Sequence, residues 1–167
     1  MKHLRRYIRQ LMLESSGFDV VKAIRSYVSI DSDPSSLRRL LGTPSLKSFM
    51  MKMQDQMPHN KYRLTRKLGR DMWIANKDMI GQTVTLEGPV SFYHGEVPTE
   101  WSEVPYTLHV TIPKEKIIFH SKYNDFGYST EREVLTDTLK IKITNVFIDE
   151  AFDGSEPSSV QVFAKVE

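Results

Sequence analysis

The sequence predicts an α+β fold, a helical N-terminal lead followed by a mostly antiparallel β assembly. Two observations predict it: apolar residues recur at helical spacing up to about residue 57, and beyond Pro58 they recur at every second position.

The helices come first. Leu4, Tyr7, Ile8, Leu11 and Met12 fall on one helical face. A second helix is predicted from about Asp19 to Val28, with Val20, Ala23, Ile24 and Tyr27 turned inward. Asp33-Pro34, ahead of Leu37, Leu40, Leu41 and Gly42, supplies the N-cap, first-turn proline and terminal glycine of a third. A fourth opens near Thr43-Pro44 and carries Leu46, Phe49, Met50, Met53 and Met57 until Pro58 stops it. Its methionine stripe is read as core packing rather than as a plastic partner-binding face.

Strands follow. Tyr106, Leu108, Val110 and Ile112 alternate with Thr107, His109 and Thr111, and Leu139, Ile141 and Ile143 alternate with Lys140, Lys142 and Thr144. Val160, Val162, Ala164 and Val166 make a last strand, and shorter ones are predicted at 62–68, 83–86, 117–120 and 131–135. Residues 69–80 fit either a helix or a loop, and 149–159 a polar hairpin loop. The expected division is a helical region over 1–58 and one domain over 59–167.

Composition narrows the chemistry. A chain of 167 residues, 40% hydrophobic and 26% charged, suits one soluble core with a small appendage. No apolar run approaches the roughly 20 residues that span a bilayer, so no membrane partner is expected. The absence of cysteine excludes disulfides, zinc–thiolate sites and a thiol nucleophile. Residues 1–60 carry 10 Lys+Arg against 5 Asp+Glu (+5), and residues 61–167 carry 13 against 16 (−3). The basic front is read as a solvated helical face, and nucleic acid is not an expected partner. Residues 2–12 are likewise read as an amphipathic helix rather than a leader. Five histidines show no metal-ligand spacing, so no metal is expected. With no G-x-G-x-x-G and no P-loop, a dinucleotide would not sit on a βαβ unit.

The most informative segment is 123–135, YNDFGYSTEREVL. Glu131 and Glu133 stand two apart where Val134 and Leu135 indicate a strand, so both carboxylates face one way, about 7 Å apart. The tract ahead of them is rich in Gly, Asn, Asp and aromatics, the composition of a recognition loop. Glu-x-Glu alone is a common surface pattern; its surroundings raise its significance.

STEREVL resembles the Glu-x-Glu signature of arginine-directed mono-ADP-ribosyltransferases of the arginine–serine–glutamate type. TLHVTIPKEKIIFHS is similar to the strand, Pro-Lys turn and strand ahead of that family's recognition loop, and TLKIKITNVF to the strand after it. MIGQTVTLEGPVSFY resembles the segment holding the family's Ser-Thr-Ser motif, and YRLTRKLG the first strand, which supplies its arginine. The resemblance covers about residues 60–167. It departs at the serine motif, which reads Ser91-Phe92-Tyr93 and keeps only the first serine. It also leaves Arg63 or Arg66 as the arginine, with Arg66 fitting the pattern better. His94-Gly95 is similar to the His-Gly of the diphtheria-toxin-like branch, but falls at the serine motif instead of the first strand.

The resemblance implies a pair of mostly antiparallel sheets and an enzyme that transfers ADP-ribose from NAD to a protein acceptor, arginine in particular, with nicotinamide released. It implies Glu133 as the carboxylate beside the anomeric carbon, Ser91 as its positioner, and Arg66 (or Arg63) on the pyrophosphate. Tyr93 or Phe92 would stack on nicotinamide. Glu131 would face the acceptor, with Phe126 and Tyr128 contacting the acceptor protein. Two alternatives stay open: an NAD glycohydrolase with water as the acceptor, and, motivated by the eroded serine motif and the basic run 61–70, a non-catalytic binding module on the same fold. A monomer is expected. The opening MKHLRRYIRQLMLE also resembles small phage-encoded proteins, which would place the activity in a host cytoplasm.

Overall fold

The structure, a computed structural model, describes residues 19–27, 33–95, 97, 101, 103–123, 133–151, 153–154 and 156–167. The chain divides into two compact units, Met1–Gln56 and Met57–Glu167.

In the first unit, residues 19–27 form α1, with Val20, Ala23 and Ile24 buried and Tyr27 half-buried. Helix α2 spans Ser35–Leu40 and buries Leu37. The Asp33 carboxylate accepts from the Ser35 backbone N–H at 3.0 Å, which holds its pKa below the usual value. Gly42 ends this turn at φ +78°, a conformation that favours glycine. Helix α3, Pro44–Gln56, opens on Thr43, whose hydroxyl accepts from the Leu46 N–H at 3.4 Å, and it buries Leu46 and Met53. The methionines divide: Met53 and Met57 are buried, whereas Met51 is 64% exposed. The first predicted helix, over Leu4–Met12, lies outside the described residues.

The second unit is one eight-stranded sheet: β1 (Lys61–Lys67), β2 (Thr83–Leu86), β3 (Val90–Tyr93), β4 (Tyr106–Pro113), β5 (Ile117–His120), β6 (Glu133–Thr136), β7 (Leu139–Asp149) and β8 (Ser159–Val166). The order is β2-β7-β8-β4-β1-β3-β6-β5. Every neighbouring pair is antiparallel except β4–β8. The β1–β3 register consists of the single pair Thr65↔Tyr93. The expected pair of sheets is therefore present as a five-stranded and a three-stranded half joined along that seam.

Alternation builds the core of the larger half. Leu139, Ile141, Ile143 and Val146 of β7, Val160 and Val162 of β8, and Leu108, Val110 and Ile112 of β4 are all buried. In the smaller half β5 and β6 are buried on both faces over Ile117–His120 and Val134–Thr136, the continuous apolar pattern of covered strands. Each such side chain contributes roughly 1.5–3 kcal/mol by leaving water.

The ambiguous segment after β1 resolves into two short 3₁₀ turns, Met72–Ile74 and Lys77–Met79. The Asn76 side chain accepts from the Asp78 N–H and caps the second. Backbone bonds from Gly81 N–H to the Ile143 carbonyl (2.8 Å) and from Ile143 N–H to the Gln82 carbonyl (3.0 Å) pin the segment to β7.

Candidate active site

Strands β3 and β6 pair with Ser91 opposite Leu135 and Tyr93 opposite Glu133. Directly opposed residues of an antiparallel pair project from the same face, as do residues two apart on one strand. Ser91, Tyr93 and Glu133 thus share a face, while Phe92 and Val134 point the other way, fully buried, and lock the register. On the shared face the Ser91 hydroxyl donates to Glu133 Oε1 at 2.7 Å, the short distance of a bond to a charged acceptor.

Arg66 joins them from across the seam. Its NH1 donates to the Ser91 carbonyl at 2.9 Å and its NH2 to the Asp71 carboxylate at 3.2 Å. The guanidinium fork thus fixes the backbone of the residue whose hydroxyl holds Glu133. Its Nε is buried and has no hydrogen-bond partner among the described residues. A donor at the site is left unused.

Arg63 does not join this group. It lies on the other face of β1 from Arg66, exposed, in a groove lined by Thr65, His109, Thr111 and Phe163. Glu131, Phe126 and Tyr128 lie outside the described residues.

Sequence reasoning missed two features. Asp71 is one, five residues beyond Arg66. The other is an imidazole–phenol cluster at the start of β6, on the face of Val134. The Lys122 backbone N–H donates to His120 Nδ1 at 3.1 Å, so neutral His120 carries its proton on Nε2 and donates it to His94 Nδ1 at 3.0 Å. The Tyr62 ring meets His94, His120 and Tyr123 edge-on, with centroids 5.4, 5.7 and 6.4 Å away. Burial, then His94 and Lys122, push the His120 pKa down to about 4, and burial raises that of Tyr62. The Ser121 N–H donates to the Glu133 carbonyl at 3.0 Å, so the residue just past His120 is tied to the start of β6. His94 and His120 are 26 residues apart, so no local pattern announces their meeting.

No family model matches the chain, and no curated protein does. Solved structures do. The chain is similar to the enzymatic component C2-I of the C2-toxin from Clostridium botulinum, at 13% identity and TM-score 0.60, covering 90% of this chain and 43% of that one. It is similar to BECa, an ADP-ribosylating toxin of a binary enterotoxin of C. perfringens solved with NADH, at 14% identity and TM-score 0.58, covering 89% and 43%. It is also similar to the C3larvin toxin, an ADP-ribosyltransferase from Paenibacillus larvae, at 14% identity and TM-score 0.53, covering 89% and 94%. The fold is therefore that of ADP-ribosyltransferases, and the chain spans less than half the length of C2-I and BECa.

Proposed function

We propose that this chain transfers ADP-ribose from NAD to a protein acceptor, specifically to an arginine side chain, and releases nicotinamide. The observation that supports this reading most directly is the 2.7 Å bond that fixes the Glu133 carboxylate on Ser91, with Ser91 itself held by Arg66. The unpartnered Arg66 Nε fits an incoming phosphate oxygen, as does the planar fork beside it.

Bound NAD supplies a nicotinamide–ribose bond whose cleavage leaves positive charge on the anomeric carbon. In this reading Glu133, held in one orientation, stabilises that charge. A preorganised group of this kind is commonly worth about 3–4 kcal/mol. Arg66 binds the pyrophosphate, and Tyr93, on the same face as Glu133, covers the nicotinamide ring. Glu131 pairs with the acceptor guanidinium, which is protonated and a poor nucleophile, and takes its proton as attack proceeds. Phe126 and Tyr128 contact the acceptor protein.

Nicotinamide release and label transfer to agmatine or an arginine-rich protein test the proposal. Glu133→Gln is expected to lose both, and Glu131→Gln to keep release while losing transfer. Unchanged turnover in Glu133→Gln would defeat the assignment. Nicotinamide release by the unmodified chain with no label on any acceptor would select NAD glycohydrolysis instead.

A further inference from the structure

The exposed face of the five-stranded half carries three rows set by register. Arg63, Thr111, Lys165, Lys142 and Thr83 are successive partners across β1, β4, β8, β7 and β2. Thr65, His109, Phe163 and Asn145 make the next row, and Lys67, Gln161 and Phe147 the third, around the buried Thr107. Lys61 and Lys140 stand two residues from Arg63 and Lys142 on the same face, both exposed. Among the described residues, carboxylates stand at the margins of this face: Glu167, which accepts from the Thr83 hydroxyl, exposed Glu87 just past β2, and Asp149 at the far end of β7.

Beside the cations lies an aromatic surface that a core would have absorbed. Phe147 is 56% exposed and Phe163 38%. His109 stacks on Phe163 with centroids 4.8 Å apart and rings 17° from parallel, and Phe147 meets Phe163 edge-on at 5.7 Å. The Gln161 side-chain carbonyl accepts from His109 Nε2 and holds the stack in place. His109 and Phe163 wall a groove of about 370 Å³ that also takes in Arg63, Thr65, Thr111 and Thr144.

We infer that this sheet face binds single-stranded nucleic acid, its phosphates along the Arg63–Lys165–Lys142 row and its bases against Phe163 and Phe147. The cation row runs across three strand spacings, about 14 Å, and the aromatic row lies about 7 Å away along the strands. That offset is comparable to the reach from phosphate to base within one nucleotide. Flat π faces next to cations favour unstacked bases over an acidic protein, which would use the charge and leave the rings wet. A duplex keeps its bases stacked and gives the rings nothing to hold. Through the Thr65↔Tyr93 pair the middle row leads on towards Tyr93 and Glu133, but none of Arg66, Ser91, Tyr93 and Glu133 lines the groove itself.

Fluorescence anisotropy of the full chain with labelled oligo(U) and oligo(dT) tests it, with a duplex and polyglutamate in parallel. Binding is expected to be tighter to single strands than to the duplex and to weaken steeply with salt. Phe163→Ala should raise Kd about tenfold or more. Lys142→Gln, at a half-buried lysine, together with Lys165→Gln, at an exposed one, should lower the salt slope by about 0.7 for each phosphate no longer neutralised. Phe147→Ala gives a second reading if Phe163→Ala perturbs the sheet. The inference is overturned if polyglutamate binds as tightly as the oligonucleotides. It is equally overturned if these variants bind like the unmodified chain, or if binding is lost only on replacing Arg5, Arg6 and Arg9.

Discussion

Ser91 and Glu133 stand 42 residues apart in sequence and share a 2.7 Å hydrogen bond between β3 and β6. The bond removes rotamer freedom from the carboxylate before any substrate arrives, which is how preorganisation lowers a barrier.

Ser91→Ala follows from that geometry. A hydrogen bond to a charged acceptor is worth about 1.5–3 kcal/mol, so kcat for nicotinamide release should fall roughly 10- to 100-fold with KM for NAD little changed. Ser91→Thr keeps the hydroxyl and should recover most of the rate. Equal rates in Ser91→Ala and the unmodified chain would remove Ser91 from the site.

Arg66 makes a different prediction. Lysine is a point donor and cannot hold the Ser91 carbonyl and Asp71 at once while facing a phosphate. Arg66→Lys is expected to raise KM for NAD by about tenfold or more. Asp71→Asn keeps the shape but loosens the guanidinium, so its effect on KM should be smaller and in the same direction. Isothermal titration with a non-reactive NAD analogue reads both.

Gly88 links the fold to the site. A Cβ there would meet the Thr138 backbone nitrogen at 2.5 Å and the Asp137 carbonyl carbon at 2.8 Å, while the Gly88 N–H donates to the Thr138 hydroxyl at 2.9 Å. Backbone cannot yield as a flexible side-chain end does, and β3 with Ser91 begins two residues on, at Val90. Gly88→Ala is expected to cost about 1–3 kcal/mol, an overpacking penalty, read as a lower urea midpoint. Thr85→Ala, on the exposed face of β2, should leave the midpoint nearly unchanged.

What the sequence made legible was whatever repeats locally. Leu139, Ile141 and Ile143 announce β7 because every second residue faces the core, and the same rule placed β4 and β8. Alternation also puts Arg63 and Arg66 on opposite faces of β1, but only the folded chain shows that Arg66 is the one that reaches the Ser91 carbonyl. The parallel β4–β8 pairing and the Thr65–Tyr93 seam depend on strand order, which periodicity does not encode. Asp71 stayed hidden because the 3₁₀ turns after β1 are too short to leave a period. His94 and His120 meet only because β3 and β5 both flank β6.

His120 makes a prediction about pH. His120 is 1% exposed and packs against His94, Tyr62 and Tyr123, with Lys122 beside it. Its pKa is about 4 against an ordinary 6.5. Above pH 6.5 the imidazole is neutral in both folded and unfolded chains and stability does not depend on it. Between 6.5 and about 4 the unfolded chain takes a proton that the folded one refuses, so stability falls with pH, by on the order of 3 kcal/mol in all. Thermal melts from pH 7 to pH 4 should show this decline, and His120→Gln, which cannot take the proton, should flatten it at some cost to the melting temperature at pH 7. A decline of equal steepness in the variant would show that other groups carry it.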